Sequence, residues 1–409
     1  MEQTAKTTSR GYGWVILVIT FIAGFTAPAN MAKAPALAPT LMGYFNIDPS
    51  GFGLLISVFF MLGFLLAFPT AAIIRKIGLR GAISAAVACG VLGSVIGALS
   101  PNFTVFLIGR LLEGAGLGIM GVAGASAITP WFPKEKRGLP LGIWAVWVAA
   151  GMVVCPMIYG WIADPNGLGI DFHVIWWITA IFDAVVLVLF NLIYRTPKDP
   201  FEDSDLEGTN YEAGVAYRIA DVFKSKALIF LALIFLFDEM AFVTVTSFLV
   251  DYQVTTFGYD QIHANIYATY FGLAGAVCAI LGGKLSDFFK TRKYILLIGI
   301  IAGIIYTSIV LTNRIEWLYW PIGILAGMVG GFVPGMIWAA TPETVPGDLV
   351  PSANAMMATT ANFGMFVGPL IMGTAIAGLG YGMATLCCLT PLYIICLIFW
   401  IFGVRKTVR

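Results

Sequence analysis

Six ionisable side chains, Lys33, Arg110, Glu113, Asp183, Asp238 and Glu239, fall inside long apolar runs of the sequence. A charge at the centre of a hydrocarbon layer costs roughly 2.5 to 3.5 kcal/mol on insertion scales, so such residues face a cavity or pair with one another. The chemistry open to them is binding and proton transfer. Lys33 and Arg110 are cations for an anion, and the planar guanidinium of Arg110 suits a carboxylate through two parallel bonds. Glu113 lies three residues after Arg110, on the same helical face. The pair either neutralises itself or changes partners: an anion that competes for Arg110 releases Glu113 to take a proton. Asp238 and Glu239 are adjacent and point about 100° apart on a helix, so they cannot both face one cavity squarely. A carboxyl group in apolar surroundings is most stable neutral, as a proton carrier requires. Lys33 has two readings: it snorkels to the headgroups where Pro35 and Pro39 end its helix, or it serves a binding cavity beside a helix opened locally among Asn30 and those prolines.

Apolar helices must position these groups. Charged residues form 11 % of the 409-residue chain and hydrophobic ones 59 %, which excludes a water-soluble domain and gives an all-α polytopic membrane protein. A spanning helix needs about 20 apolar residues. Twelve such runs occur, roughly at 14–39, 52–74, 82–100, 103–128, 139–162, 174–194, 227–250, 264–285, 294–312, 317–340, 352–376 and 379–403. Lys6, Arg10, Arg75, Lys76, Arg80, Lys134, Lys136, Arg137, Lys290, Arg292, Lys293, Arg405, Lys406 and Arg409 all fall on one side, against Arg314 alone on the other. The positive-inside rule makes the basic side cytoplasmic and places both termini there, in a bacterial-type inner membrane. From the rise of about 1.5 Å per residue, Lys33, Arg110 and Asp238 come out roughly 10 to 15 Å below the outer surface. The basic start, apolar run and Ala36-Leu37-Ala38 mimic a cleaved secretory signal, but Lys33 interrupts the run, and cleavage would leave the termini on opposite sides.

The polar stretch between the sixth and seventh runs divides the chain into a bundle over residues 1–194, a cytoplasmic linker over 195–226 and a bundle over 227–409. In the linker, Val215, Ile219, Val222 and Phe223 are spaced for an amphipathic helix on the membrane surface. The halves are also related to each other. At an offset of 213 residues, Gly114 falls on Gly327, Gly118 on Gly331, Pro133 on Pro346, Gly151 on Gly364, Pro156 on Pro369 and Gly160 on Gly373. Parallel repeats of this kind occur in transporters whose two bundles rock about a central site.

These residues resemble the major facilitator superfamily over essentially the whole chain. "GGKLSDFFKTRK" matches the family's loop pattern, with Asp287 and Arg292 in place, while "RKIGLR" keeps Gly78 and Arg80 but has Arg75 where the aspartate would be. The resemblance implies gating contacts for Asp287, Arg292 and Arg80, with Asp287 the better candidate. "GRLLEGAGLG" keeps Arg110, and "GIWAVWVAAGMVVCPMIYG" follows the antiporter pattern, with Cys155 and Tyr159 where glycines are usual. A weaker resemblance links "GYGWVILVITF" and Lys33 to the monocarboxylate porter and oxalate–formate antiporter group. Its acid before the first glycine is Arg10 here, and its charged pair in the eighth span is absent.

The expected activity is secondary active transport of a small organic anion of monocarboxylate type, coupled to protons. Lys33, Arg110, Asn30, Asn354 and Trp338 are the expected substrate ligands, and Glu113, Asp238 and Glu239 the expected proton carriers. Rival expectations are a proton-coupled antiporter of lipophilic or cationic compounds and an anion exchanger. Asp183 lies in the sixth span, which the family uses as scaffold. No zinc-protease or hydrolase-elbow motif occurs, and the two histidines, His173 and His263, fall in outer loops, so no enzyme is expected. Nothing calls for a cofactor, a metal or nucleic acid, and the expected unit is a monomer in the lipid bilayer. The six cysteines lie in spans and read as small packing residues.

Overall fold

The first apolar run breaks where its prolines require. In the computed structural model, which describes residues 2–67, 69–133, 136–197, 219–346 and 349–405, a helix over Glu2–Ala36 stops at Leu37, where φ is −115° and ψ 17°, and a new helix runs over Ala38–Phe45. Pro39 has no N–H to give to the preceding turn, whereas in the first turn of a helix that donor is not needed. Leu37 N donates to Ala34 O at 3.2 Å, and Leu41 N donates to Leu37 O at 2.9 Å to restart the ladder. The local opening expected around Pro35 and Pro39 is this break, one turn beyond Lys33.

Among the described residues, ten helices are long and apolar enough to cross a membrane by length and composition. Ser352–Val404 is 53 residues long and turns at Gly380 with φ +74° and ψ 167°, a backbone region open essentially to glycine alone, so it makes two crossings. The 17-residue apolar helix Lys293–Ile309 adds another. The total is the twelve that the apolar runs predict, and no strand occurs among the described residues. The remaining spans are Gly11–Ala36, Pro49–Ala67, Ala72–Ala98, Phe103–Trp131, Gly138–Ala163, His173–Ile193, Lys226–Phe257, Gln261–Phe289 and Glu316–Glu343. Of the amphipathic segment expected before Lys226, Ile219–Val222 forms one helical turn, and Val215 lies outside the described residues, as do Lys134, Lys406 and Arg409.

Packing groups the chain into two compact units. One comprises Met1–Met31, Leu65–Gly151 and His173–Ala216, with a core that includes Ile16, Ile83, Val87, Met120, Trp144 and Phe190. Trp144 stacks on Trp147 with ring centroids 5.2 Å apart. Its ring fills a slot that glycine leaves open, since a Cβ on Gly124 would lie 2.0 Å from it. The third span approaches the fourth along a small-residue face: a Cβ on Gly93 would meet Gly109 O at 2.5 Å and the Glu113 backbone N at 2.8 Å.

The other unit comprises Ala32–Phe64, Met152–Phe172 and Tyr217–Arg409. Here the second span crosses the eleventh backbone to backbone. A Cβ on Gly53 would lie 2.2 Å from Pro369 O, and one on Gly373 would lie 2.4 Å from Pro49 O. Phe52 packs edge-on against Phe248 at 5.4 Å beside this crossing.

These contacts make the glycines unequal. Gly93→Ala overpacks the junction of the third and fourth spans and is expected to destabilise by about 1–3 kcal/mol. Gly121→Ala meets nothing within 4 Å and is expected to leave stability level or slightly raised. Thermal melting of the two purified variants checks this, and equal melting temperatures would contradict it.

Candidate functional site

The residues with the strongest chemistry in the first unit meet on the glycine face of the third span. Arg110 and Glu113 project from one face of the fourth span, Asn30 from the first, Ser94 from the third and Asp183 from the sixth, and all five are buried. Arg110 Nη1 donates to Glu113 Oε2 at 2.7 Å and to the backbone oxygen of Asn30, also at 2.7 Å. Asn30 Nδ2 donates to Asp183 Oδ2 at 2.7 Å and to Thr26 O at 3.0 Å. Ser94 Oγ lies 2.9 Å from both Asn30 Oδ1 and Glu113 Oε1. Gly90 makes room for the meeting, because a Cβ there would sit 2.7 Å from Asp183 Oδ2.

One ion pair, the Asp183 carboxyl group and the neutral side chains of Asn30 and Ser94 therefore join four spans. Removing one partner of such a buried pair leaves an uncompensated charge, which is strongly destabilising. An anion presented to Arg110 competes with Glu113 for the same nitrogen. The spacing of Arg110 and Glu113 predicts their pairing, while Ser94 has no sequence signal beyond the glycines at positions 90, 93 and 97 around it.

Lys33 belongs to the second unit and is 0 % exposed, so its ammonium does not snorkel to the surface. It occupies the last turn of the broken first helix, where the unpaired carbonyls of the helix end favour a cation. Within electrostatic reach lies Cys155, which faces Tyr159. These are the two residues that stand where the resembling span-five pattern has glycines.

Asp238 and Glu239 are buried in the seventh span. Tyr393 Oη donates to Asp238 Oδ1 at 2.8 Å, and the Tyr393 ring lies in a slot over Gly303, whose Cβ would come within 2.4 Å of it. Among the described residues neither acid forms an ion pair, and Asp238 Oδ2 has no hydrogen-bond partner.

The remaining expected residues are more exposed. Trp338 is 41 % exposed and meets Phe235 edge-on at 5.8 Å, and Asn354 is exposed. Arg292 pairs with Glu343 at 2.9 Å, and the exposed Asp287 side chain makes no ion pair among the described residues. Arg80 donates through Nε to Asn191 Oδ1 at 3.2 Å and through Nη2 to Asn191 O. Sequence reasoning passed over Asp164 and Gln261, because each lies at a helix end that becomes informative only when its distant partner is known. Asp164 Oδ2 accepts from Gln261 N at 2.6 Å.

The chain belongs to the Major Facilitator Superfamily, whose description matches residues 16–369 and 271–408. The relatives it matches are MFS-type transporters, and the chain spans well under half the length of the first of them. It is 27 % identical over 181 residues to the "Uncharacterized MFS-type transporter YcnB" of Bacillus subtilis (strain 168), a match covering 44 % of this chain and 38 % of that protein's length. It is 23 % identical over 368 residues to the "Probable nitrate transporter NarT" of Staphylococcus epidermidis, covering 87 % of this chain and 86 % of the relative. In structure it is similar to a bacterial homologue of the human lysosomal transporter Spinster, with a TM-score of 0.73, 18 % identity, and coverage of 96 % of this chain and 95 % of that one.

The network makes Asp183 testable. Asp183→Ala orphans one buried amide donor of Asn30 and is expected to cost about 1–3 kcal/mol, whereas Asp183→Asn keeps an acceptor and costs less. Melting curves that rank the alanine and asparagine variants equally would remove Asp183 from the network.

Proposed function

We propose that this chain is a proton-coupled secondary transporter of a small monovalent anion of monocarboxylate type. It works by alternating access of the halves 1–194 and 227–409, with both termini cytoplasmic. The observation that carries the proton is a count at Ser94. Its single hydroxyl proton serves one acceptor, yet Asn30 Oδ1 and Glu113 Oε1 both lie 2.9 Å away. Turning the Asn30 amide over does not help, because its oxygen would then face Asp183 Oδ2 and Thr26 O. With Glu113 held by Arg110 the hydroxyl proton serves one acceptor at a time, and Ser94 is placed to accept from Glu113 and donate on to Asn30 once that carboxyl group takes a proton.

The proposed cycle follows from this. An anion takes the Arg110 nitrogen that holds Glu113, and the released carboxylate binds a proton and donates it towards Ser94, already 2.9 Å away. Anion and proton then cross together without net charge, where a lone charge would cross 100 mV at about 2.3 kcal/mol. Lys33 supplies a second cation, and Asn30, Asn354 and Trp338 complete the proposed substrate set. Asp238 and Glu239 are further proton sites in this reading, and Asp287, Arg292 and Arg80 act in gating.

A second reading takes an inorganic oxyanion as the substrate. The NarT relatives, named for nitrate, favour it at 23 % identity over most of the chain. A planar monovalent oxyanion offers a guanidinium the same pair of oxygens as a carboxylate.

A thermal-shift screen against monocarboxylates, nitrate and lipophilic cations separates the readings. A ligand at about 100 times its dissociation constant adds about 2.7 kcal/mol of stability. Stabilisation by a monocarboxylate that disappears in Arg110→Ala and Lys33→Ala is expected. Stabilisation by nitrate alone selects the second reading, and stabilisation by cations alone sinks both. In proteoliposomes Glu113→Gln, which retains a donor towards Ser94, is expected to keep anion counterflow and lose uptake driven by a pH gradient. Gradient-driven uptake at the parent rate would show that Glu113 is not the proton carrier.

A further inference from the structure

The first N–H groups of a helix have no partner within it, and at the start of the eighth span, Gln261–Phe289, those of Gln261, Ile262 and His263 are all taken before Ala264 opens the helical ladder. His263 N donates to Asp260 Oδ1 at 2.7 Å and Ala264 N to the Asp260 backbone oxygen at 3.1 Å, the ordinary work of an N-cap. The other two go elsewhere. Gln261 N donates to Asp164 Oδ2 at 2.6 Å and Ile262 N to the same oxygen at 3.3 Å. Asp164 follows the fifth span and is 2 % exposed. A carboxylate from one span thus caps another, at the positive end of its helix dipole.

The side chains of the same helix end hold the first span. Gln261 Nε2 donates to Ala36 O at 2.7 Å, and Asn265 Nδ2 donates to it at 3.0 Å. The break at Leu37 leaves that carbonyl free of its helical partner. Thr40 Oγ1 donates to Gln261 Oε1 at 2.8 Å. Beneath the cap the fifth and eighth spans touch at Gly160, where a Cβ would lie 2.7 Å from Asn265 Nδ2.

We infer that Asp164 is the latch of a gate at this end of the molecule, and that its hold on the N-terminus of the eighth span breaks and reforms in each transport cycle. Three features fit a reversible closure. The contacts are polar groups at helix ends, which exchange protein partners for water at small net cost. At Gly53 the spans meet backbone to backbone, and Gly160 presents no side chain of its own to Asn265, so neither glycine interlocks with its partner. The acid is also present at only one of two repeat-related crossings. Gly160 and Gly373 correspond at the offset of 213, and the residue corresponding to Asp164 is Ala377. One carboxylate therefore sets the closing strength on its own. The assignment of this gate to the outer face rests on the proposed orientation.

Ser57 provides a reporter. It lies one turn beyond Gly53 on the same helical face, is 0 % exposed and has no hydrogen-bond partner for its hydroxyl, so Ser57→Cys is a near-isosteric change. In intact cells treated with a membrane-impermeant maleimide, with labelling at position 57 read by peptide mass spectrometry, the single variant is expected to react slowly. Adding Asp164→Asn is expected to speed labelling about tenfold, equivalent to about 1.4 kcal/mol in the gate equilibrium. Asn265→Ala, which loosens the grip on Ala36 and leaves the Asp164 cap intact, is expected to act in the same direction.

Asp260→Asn weakens the helix's own cap and the exposed 3.3 Å bond from Asn166 Nδ2 but leaves the Asp164 cap in place, and is expected to lower the melting temperature with far less acceleration of labelling than Asp164→Asn. Unchanged labelling in a folded Asp164→Asn protein, or equal acceleration by Asp260→Asn, overturns the latch. Acceleration seen only in inverted vesicles supports the latch and overturns the proposed orientation instead.

Discussion

Hydrocarbon offers no hydrogen bond, so every polar group in a span must find its partner inside the protein. This constraint organises the structure more than any single apolar contact does. Arg110 is tolerable because Glu113 lies one turn away at 2.7 Å and the Asn30 carbonyl takes the same nitrogen. Asp183 is tolerable because Asn30 turns its amide towards it, and Asp238 because the Tyr393 hydroxyl reaches it. Each of these meetings needs close approach, and glycine supplies it: Gly90 beside Asp183, Gly93 beside Glu113 and Gly303 beneath Tyr393. The richness of the chain in glycine, 46 residues, is in this sense a condition for its buried charges.

The spans were legible because hydropathy reports them directly, and the break at Leu37 was legible because proline acts on its own backbone. The pairing of Arg110 with Glu113 was legible for the same reason, since i and i+3 lie on one face whatever surrounds the helix. Ser94 and Asp164 were not. Each bonds a residue 19 to 97 positions away, and nothing in a local window separates a serine that bridges two spans from one that bonds its own helix, as Thr307 Oγ1 does with Gly303 O at 2.8 Å. Lys33 shows the middle case. Its type and depth raised two readings from the sequence, and burial removed the snorkelling one.

The repeat gives some glycine positions a common purpose. Gly151 and Gly364, related by the offset of 213, serve equivalent crossings: a Cβ on Gly151 would meet Pro28 Cβ at 2.6 Å in the first span, and one on Gly364 would meet Leu236 O at 2.3 Å in the seventh. Gly160 and Gly373 do the same with the eighth and second spans. Chemistry, by contrast, does not repeat. Arg110 corresponds to Gly323, Glu113 to Ala326 and Asp164 to Ala377. The architecture is duplicated, but these three charged groups have no charged counterpart in the second copy.

The first span links the two polar systems. Asn30, Lys33 and Ala36 follow one another at intervals of three residues, a rise of about 4.5 Å each. Asn30 gives its side chain to Asp183 and its carbonyl to Arg110, while Ala36 gives its carbonyl to Gln261 and Asn265. A continuous helix would have spent the Ala36 carbonyl on its own ladder. The proline that ends the helix therefore releases the acceptor that the eighth span grips, and the same ending presents the negative pole of the helix dipole to Lys33. One backbone interruption thus provides both a hold for the proposed gate and a setting for a buried cation. Restoring the ladder by replacing Pro39 would withdraw both together, whereas replacing Lys33 withdraws only the cation.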